Sequence, residues 1–149
     1  MCGVKVVESS QRVHEILVYD LAELHTPNII ALSETWVRNI TTPAELIDAT
    51  PHGYYLHSSA RSISFSTKSN TITGGGTAFL INEPATIINS LAHSYSSFEY
   101  SSITLKLNNS KLSIFNLYRP PPPFLYSQPF SVFIDQLSSL LTHVPTNLF

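Results

Sequence analysis

An α/β fold, with a mostly antiparallel sheet and flanking helices, is what the sequence predicts, and three stretches carry that prediction. Apolar residues recur at helical spacing over 13–24, an apolar run at 29–32 follows shortly, and a second helical stripe occupies 130–141. Between them lie several short β-rich segments, two of which form a hairpin. No internal repeat or linker interrupts the chain. The 149 residues are therefore expected to form one domain, long enough for a core without disulfide or metal staples.

In "SSQRVHEILVYDLAELHTP", Ser9 or Ser10 is placed to cap a helix whose face is Val13, Ile16, Leu17, Leu21 and Leu24. Pro27 closes it. "NIIALS" then shows little alternation, the pattern of a strand covered on both faces, as in the middle of an α/β layer. "TPAELIDAT" fits a short helical turn, with Thr42 as cap and Pro43 at the first helical position. "GYYLHSS" reads as a strand. "SSARSISFSTKSNTIT" holds nine hydroxyl residues in sixteen and is expected to be an exposed loop or hairpin tip.

"GGGTAFLIN" is a glycine-led strand, and "ATIINSL" after Pro84 is another. "FEYSSITLKLNN" and "SKLSIFNLY" alternate, are rich in β-branched and aromatic residues, and are joined by a short polar turn. They predict an antiparallel hairpin. "RPPPP" ends the second strand, because proline cannot feed a ladder. In "PFSVFIDQLSSLLTHV", Phe130, Phe133, Ile134, Leu137, Leu140 and Leu141 fall on one helical face.

Composition narrows the function. Apolar residues make up 43% of the chain and charged residues 12%, which excludes intrinsic disorder. The net charge is −2 and no lysine or arginine cluster occurs, so the usual electrostatic footprint of a nucleic-acid binder is missing. Cys2 alone excludes an internal disulfide and a cysteine zinc site. The six histidines show no close ligand spacing. No apolar run is long enough to span a membrane, and the start has no signal-peptide organisation, so an intracellular protein, nuclear or cytoplasmic and not secreted, is expected. The sequons at Asn39 and Asn108 are then read as chance.

Three places invite a chemical reading. Gly74-Gly75-Gly76 lacks the lysine and the following helix of a phosphate-binding loop; it reads as a turn or bulge that lets a strand start beside another backbone. Glu34 ends an apolar strand, so it either points into water or presents a carboxylate to something positive. Tyr118 and Arg119 close a strand before the proline run, which is a stiff loop exit or a ligand for an aromatic groove. Glu34 and Tyr118 both lie at C-terminal strand ends, where α/β proteins commonly build sites. If "IIALS" and "SIFNLY" share one sheet, carboxylate and phenol converge on one cleft. A hydrated Mg²⁺ between them would set their polar atoms about 4–8 Å apart.

"IIALSETWV", "GYYLHSS", "GGGTAFLI" and "FEYSSITLKLNNSKLSIFNLYRPPP", in that order and spacing, resemble the endonuclease domain of non-LTR (LINE-type) retrotransposons, within the exonuclease–endonuclease–phosphatase superfamily. The match runs from about residue 15 onward. It implies a four-layer α/β sandwich, of which this chain holds part, and a Mg²⁺-dependent phosphodiesterase that cuts DNA to prime reverse transcription. Residue by residue, it implies that Glu34 is the metal-binding glutamate, that Tyr118 contacts or polarises the scissile phosphate, and that Arg119 contacts a phosphate. Implied partners are DNA and the remainder of a retrotransposon polyprotein.

The sequence also departs from that family. The asparagine of the family's first strand has no counterpart before Asn28. The Gly-Asp-x-Asn stretch expected after "FSVFIDQLSSLLTHV" and the later Asp-His pair are missing as well, and with them the groups that handle the nucleophilic water. The expectation is a C-terminally truncated domain with little or no activity, whose exposed sheet edge favours self-association. The alternative is a domesticated, non-catalytic binding or scaffold module that uses "RPPPP" or a sheet edge.

Overall fold

The structure, a computed structural model, describes residues 4–7, 13–35, 44–59, 75–108, 110–119 and 128–143. Its elements in chain order are β1 (Val4–Val7), α1 (Val13–His25), β2 (Ile29–Ser33), α2 (Ala44–Asp48), β3 (Tyr54–Ser59), β4 (Thr77–Asn82), β5 (Thr86–Ser94), β6 (Glu99–Leu107), β7 (Ser110–Tyr118) and α3 (Phe130–His143). Every segment expected as helix or strand is one. The proposed caps at Ser9, Ser10 and Thr42 and the prolines after Arg119 lie outside the described residues, as does the serine-rich stretch over 58–73 apart from Ser58 and Ser59, which end β3 rather than start a loop.

The strands form two sheets. The first has the order β1-β2-β4-β3, with β1 parallel to β2 and the other pairs antiparallel. The second is the antiparallel meander β5-β6-β7. This corrects one expectation: β2 and β7 do not share a sheet. β4 takes the place beside β2, in the register Ile29↔Ile81 to Ser33↔Thr77. β7 is held by its hairpin partner β6, in the register Glu99↔Tyr118 to Leu107↔Ser110.

Burial explains the arrangement. All five residues of β2 are buried, so it needs cover on both faces. On one face Ile30 and Leu32, with Ala78 and Leu80 of β4, pack under Val18 and Ala22 of α1. On the other, Ile29, Ala31, Phe79 and Ile81 meet Ile103 and Leu105 of the second sheet. Phe98 and Tyr100 then pack outward with Phe115 against Phe133, Leu137 and Leu140 of α3. The layers run helix, sheet, sheet, helix, which is a partial four-layer α/β sandwich. Truncating Phe79, fully buried between the sheets, to alanine is expected to cost about 3–5 kcal/mol.

The stripe on α3 is less uniform than its spacing suggests. Leu140 is buried, while Phe130, Ile134 and Leu141 are 61%, 41% and 59% exposed. The helix therefore lies on the sheet by one edge of its apolar face. Among the described residues no helix is long and apolar enough to cross a membrane.

Candidate functional site

The contact between the sheets changes character along its length. Residues directly opposed in an antiparallel pair project to the same face. On the inner face of the second sheet these pairs run Leu105↔Leu112, Ile103↔Ile114, Ser101↔Asn116 and Glu99↔Tyr118. The first sheet matches this, from Ile29↔Ile81 through Ala31↔Phe79 to Ser33↔Thr77. Apolar packing gives way to polar contact at the end where β2 and β7 terminate and β4 and β6 begin.

At that end hydrogen bonds cross from sheet to sheet. Thr77 Oγ1 donates to Ser101 Oγ at 2.7 Å. Asn116 Nδ2 donates to the Leu32 carbonyl at 2.8 Å and to the Ala78 carbonyl at 3.3 Å. The Gly76 amide donates to Glu99 Oε2 at 2.8 Å. Glu99 is 6% exposed and Asn116 5%, so these groups are matched inside the protein, as buried polar groups must be.

Glu34 follows β2 directly, half-buried, with φ at 57°. A non-glycine residue holds that left-handed conformation only when its surroundings fix it. Here the next amide, Thr35 N–H, donates to the Gly76 carbonyl at 3.3 Å. The Tyr118 hydroxyl, on a residue 8% exposed, donates to Glu34 Oε1. Carboxylate and phenol thus converge on one rim as expected, but they arrive from two sheets. They also touch directly instead of standing several ångströms apart, because a phenol donor facing a carboxylate acceptor satisfies both.

Arg119 leaves the strand in another direction. Its guanidinium lies 5.4 Å from the ring centroids of both Phe130 and Phe133, and Nη2 donates to the Gln128 carbonyl at 3.1 Å. These contacts join the end of β7 to the start of α3. Gly75 and Gly76 take φ of 87° and 84° immediately before β4; Gly74 lies outside the described residues. Sequence reasoning did not single out Asn116, Glu99, Ser101 or Thr77. The signal was parity: each is a polar residue at a position whose strand neighbours two residues away face inward.

Oxygen donors dominate this rim, a set that suits a hard cation better than a soft one. Among the described residues no group of three or more histidine, cysteine or acidic side chains gathers to form a closed metal cage.

Compared by sequence, the chain matches no family model and no curated protein. Compared by structure, it is similar to TDP2 of D. rerio complexed with single strand DNA product, at TM-score 0.62 and 11% identity over 95% of this chain and 54% of that one. It is also similar to an endonuclease/exonuclease/phosphatase family protein from Leptotrichia buccalis, at TM-score 0.58 and 14% identity over 97% of this chain and 62% of that one. A third is the 3′ phosphatase NExo from Neisseria bound to product DNA hairpin, at TM-score 0.54 and 15% identity over 94% and 52%. The likeness is one of fold: a partial α/β sandwich shared with proteins of the endonuclease/exonuclease/phosphatase type. This chain spans between 52% and 62% of the length of these three structures. At the polar end of this sandwich Glu34, Tyr118, Asn116 and Glu99 come together.

Proposed function

We propose that this chain is a portion of a metal-dependent phosphodiesterase that cuts DNA, of the kind non-LTR retrotransposons encode. The observation that carries the reading is the meeting of Glu34 and Tyr118 at the polar end of an endonuclease/exonuclease/phosphatase fold. Two proteins of similar fold, TDP2 and NExo, were solved with DNA products, which supports DNA as the substrate class.

The Glu34 carboxylate fits Mg²⁺, which takes one or two carboxylates and completes its shell with water and phosphate oxygens. The bond from Tyr118 engages one direction of one oxygen, whereas a carboxylate offers about four. The cation would neutralise charge developing on the phosphate. Glu34 is its anchor. Tyr118 holds that carboxylate in place with its single O–H proton, and would donate to a phosphate oxygen only by giving up that bond. Arg119, stacked on Phe130 and Phe133, would reach a phosphate only by turning from them toward the strand end.

In this reading Glu34 is committed to the cation, and none of the other groups named is assigned as a general base. The 149 residues contain no Gly-Asp-x-Asn run and no Asp-His pair, so in this reading water activation belongs to other parts of a retrotransposon polyprotein. Losing a general base alone costs about 10²–10⁴-fold in rate. The test is nicking of supercoiled plasmid by the purified chain with Mg²⁺ or Mn²⁺. No nicking above a chelator control is expected. Divalent-dependent nicking lost on Glu34→Ala or Tyr118→Phe would overturn the inactivity and support the site. A reading frame downstream of Phe149 that continues into Gly-Asp-x-Asn and a reverse transcriptase would support the retrotransposon origin.

A second reading, a binding or scaffold module that self-associates, draws on exposed apolar side chains. Leu91 on the edge strand β5 is 57% exposed and Leu117 on the edge strand β7 is 38% exposed. Concentration-dependent mass in sedimentation would favour it.

A further inference from the structure

Gly76 is pinned on both sides of its Cα. Its amide donates to Glu99 Oε2 at 2.8 Å, and its carbonyl accepts from Thr35 N–H at 3.3 Å. At φ 84° it adopts a conformation that glycine takes without strain. The peptide that follows Glu34 is thereby tied, through one glycine of the first sheet, to a carboxylate of the second. Glu99 is 6% exposed and stands directly opposite Tyr118 in the β6–β7 ladder. The two residues that reach Glu34, one by its side chain and one through the backbone, are cross-strand neighbours.

Burying a carboxylate is costly, and the structure spends Glu99 on a backbone amide between two sheets. A charged acceptor makes a hydrogen bond about twice as strong as a neutral one. The strain at Glu34 gives that strength a use: a residue at φ 57° relaxes unless its neighbours hold it.

We propose that Glu99 is a positioning residue for the cation-binding carboxylate, holding the Glu34 turn through Gly76 while Tyr118 holds the Glu34 side chain. The inference rests on the reading of Glu34 as a metal ligand. Glu99 does not touch the cation in this scheme. It fixes the orientation of the group that does, as outer-shell partners of metal ligands do.

The experiment measures Mn²⁺ affinity by electron paramagnetic resonance, together with amide hydrogen exchange of Gly76 and Thr35, in the intact chain and two variants. Glu99→Met keeps the volume and removes the acceptor, whereas Glu99→Gln keeps an oxygen. Glu99→Met is expected to weaken Mn²⁺ binding about tenfold and to speed exchange at Gly76 and Thr35 together. Glu99→Gln is expected to restore both most of the way. Faster exchange with unchanged Mn²⁺ affinity would overturn the proposal, leaving Glu99 a purely structural residue. Unchanged exchange at Thr35 in a folded Glu99→Met protein would overturn it as well. If Glu99→Met does not fold, Glu99→Gln carries the test: coupled, smaller acceleration at both amides with a smaller loss of affinity supports the proposal, and acceleration at Gly76 alone overturns it. Failure of the underlying reading shows elsewhere, in an unmutated chain whose Mn²⁺ binding is absent or indifferent to Glu34→Ala, and that result overturns the positioning role with it.

Discussion

Tyr118 ends a strand of one sheet and Glu34 follows a strand of the other, and the phenol of the first donates to the carboxylate of the second. The two sheets are thus clasped at their polar end by the two side chains that carry the proposed chemistry. Stability and function are coupled there, so substitutions at this rim are expected to move both.

Tyr118→Phe removes only the hydroxyl. A hydrogen bond to a charged partner is worth about 1.5–3 kcal/mol, and urea denaturation is expected to show a loss in that range. The slope of the transition should stay unchanged, because the folded surface does not change.

Asn116→Asp tests the crossing bonds beneath the rim. It keeps the shape of the side chain but replaces donors with an anion facing the Leu32 and Ala78 carbonyls. An uncompensated buried charge typically costs about 3–5 kcal/mol. Denaturation at pH 7 should show a loss of that order, with part regained at lower pH as the carboxyl takes up a proton. An equally stable variant would mean that Asn116 does not bridge the sheets.

His57, on β3, has its pKa pushed below the ordinary 6.5 by burial. The unfolded chain then binds the proton at higher pH than the folded one, so stability rises with pH across this range. The contribution of His57 is complete above about 6.5 and is lost as the pH falls through the lower, folded value. Urea midpoints at pH 7.5 and 5.5 should differ, and His57→Gln should reduce the difference.

Arg119 is held over Phe130 and Phe133, so Arg119→Gln is expected to cost about 0.5–1 kcal/mol through the lost cation–π contacts. If the guanidinium also meets a phosphate, the variant should bind DNA less tightly and lower the salt dependence of binding by about one unit of slope. Loss of stability with an unchanged slope would assign Arg119 to packing alone.

The sequence shows which faces are buried more readily than which strand sits beside which. α1, β2 and the β6–β7 hairpin were legible because periods of 3.6 and 2 record burial directly. The separation of β2 from β7 was not, since neither the covered β2 nor the alternating β7 records which strand lies beside it. Glu34 and Tyr118 were legible through a family resemblance, and their convergence through strand-end logic. Asn116 and Glu99 were visible as polar residues at inward parity, but a strand alone does not say what its inner face meets. The stacking of Arg119 on Phe130 and Phe133 depends on how the chain returns after the prolines, which local pattern does not encode.

The central claim, that Glu34, held by Tyr118, binds a cation at the polar end of the sandwich, is tested most directly by adding Mn²⁺ to isotope-labelled protein. Paramagnetic broadening is expected to centre on the amides of Ser33, Glu34, Thr35 and Tyr118 and to vanish in Glu34→Ala. Broadening centred elsewhere, or persisting at these residues in a folded Glu34→Ala protein, would contradict it.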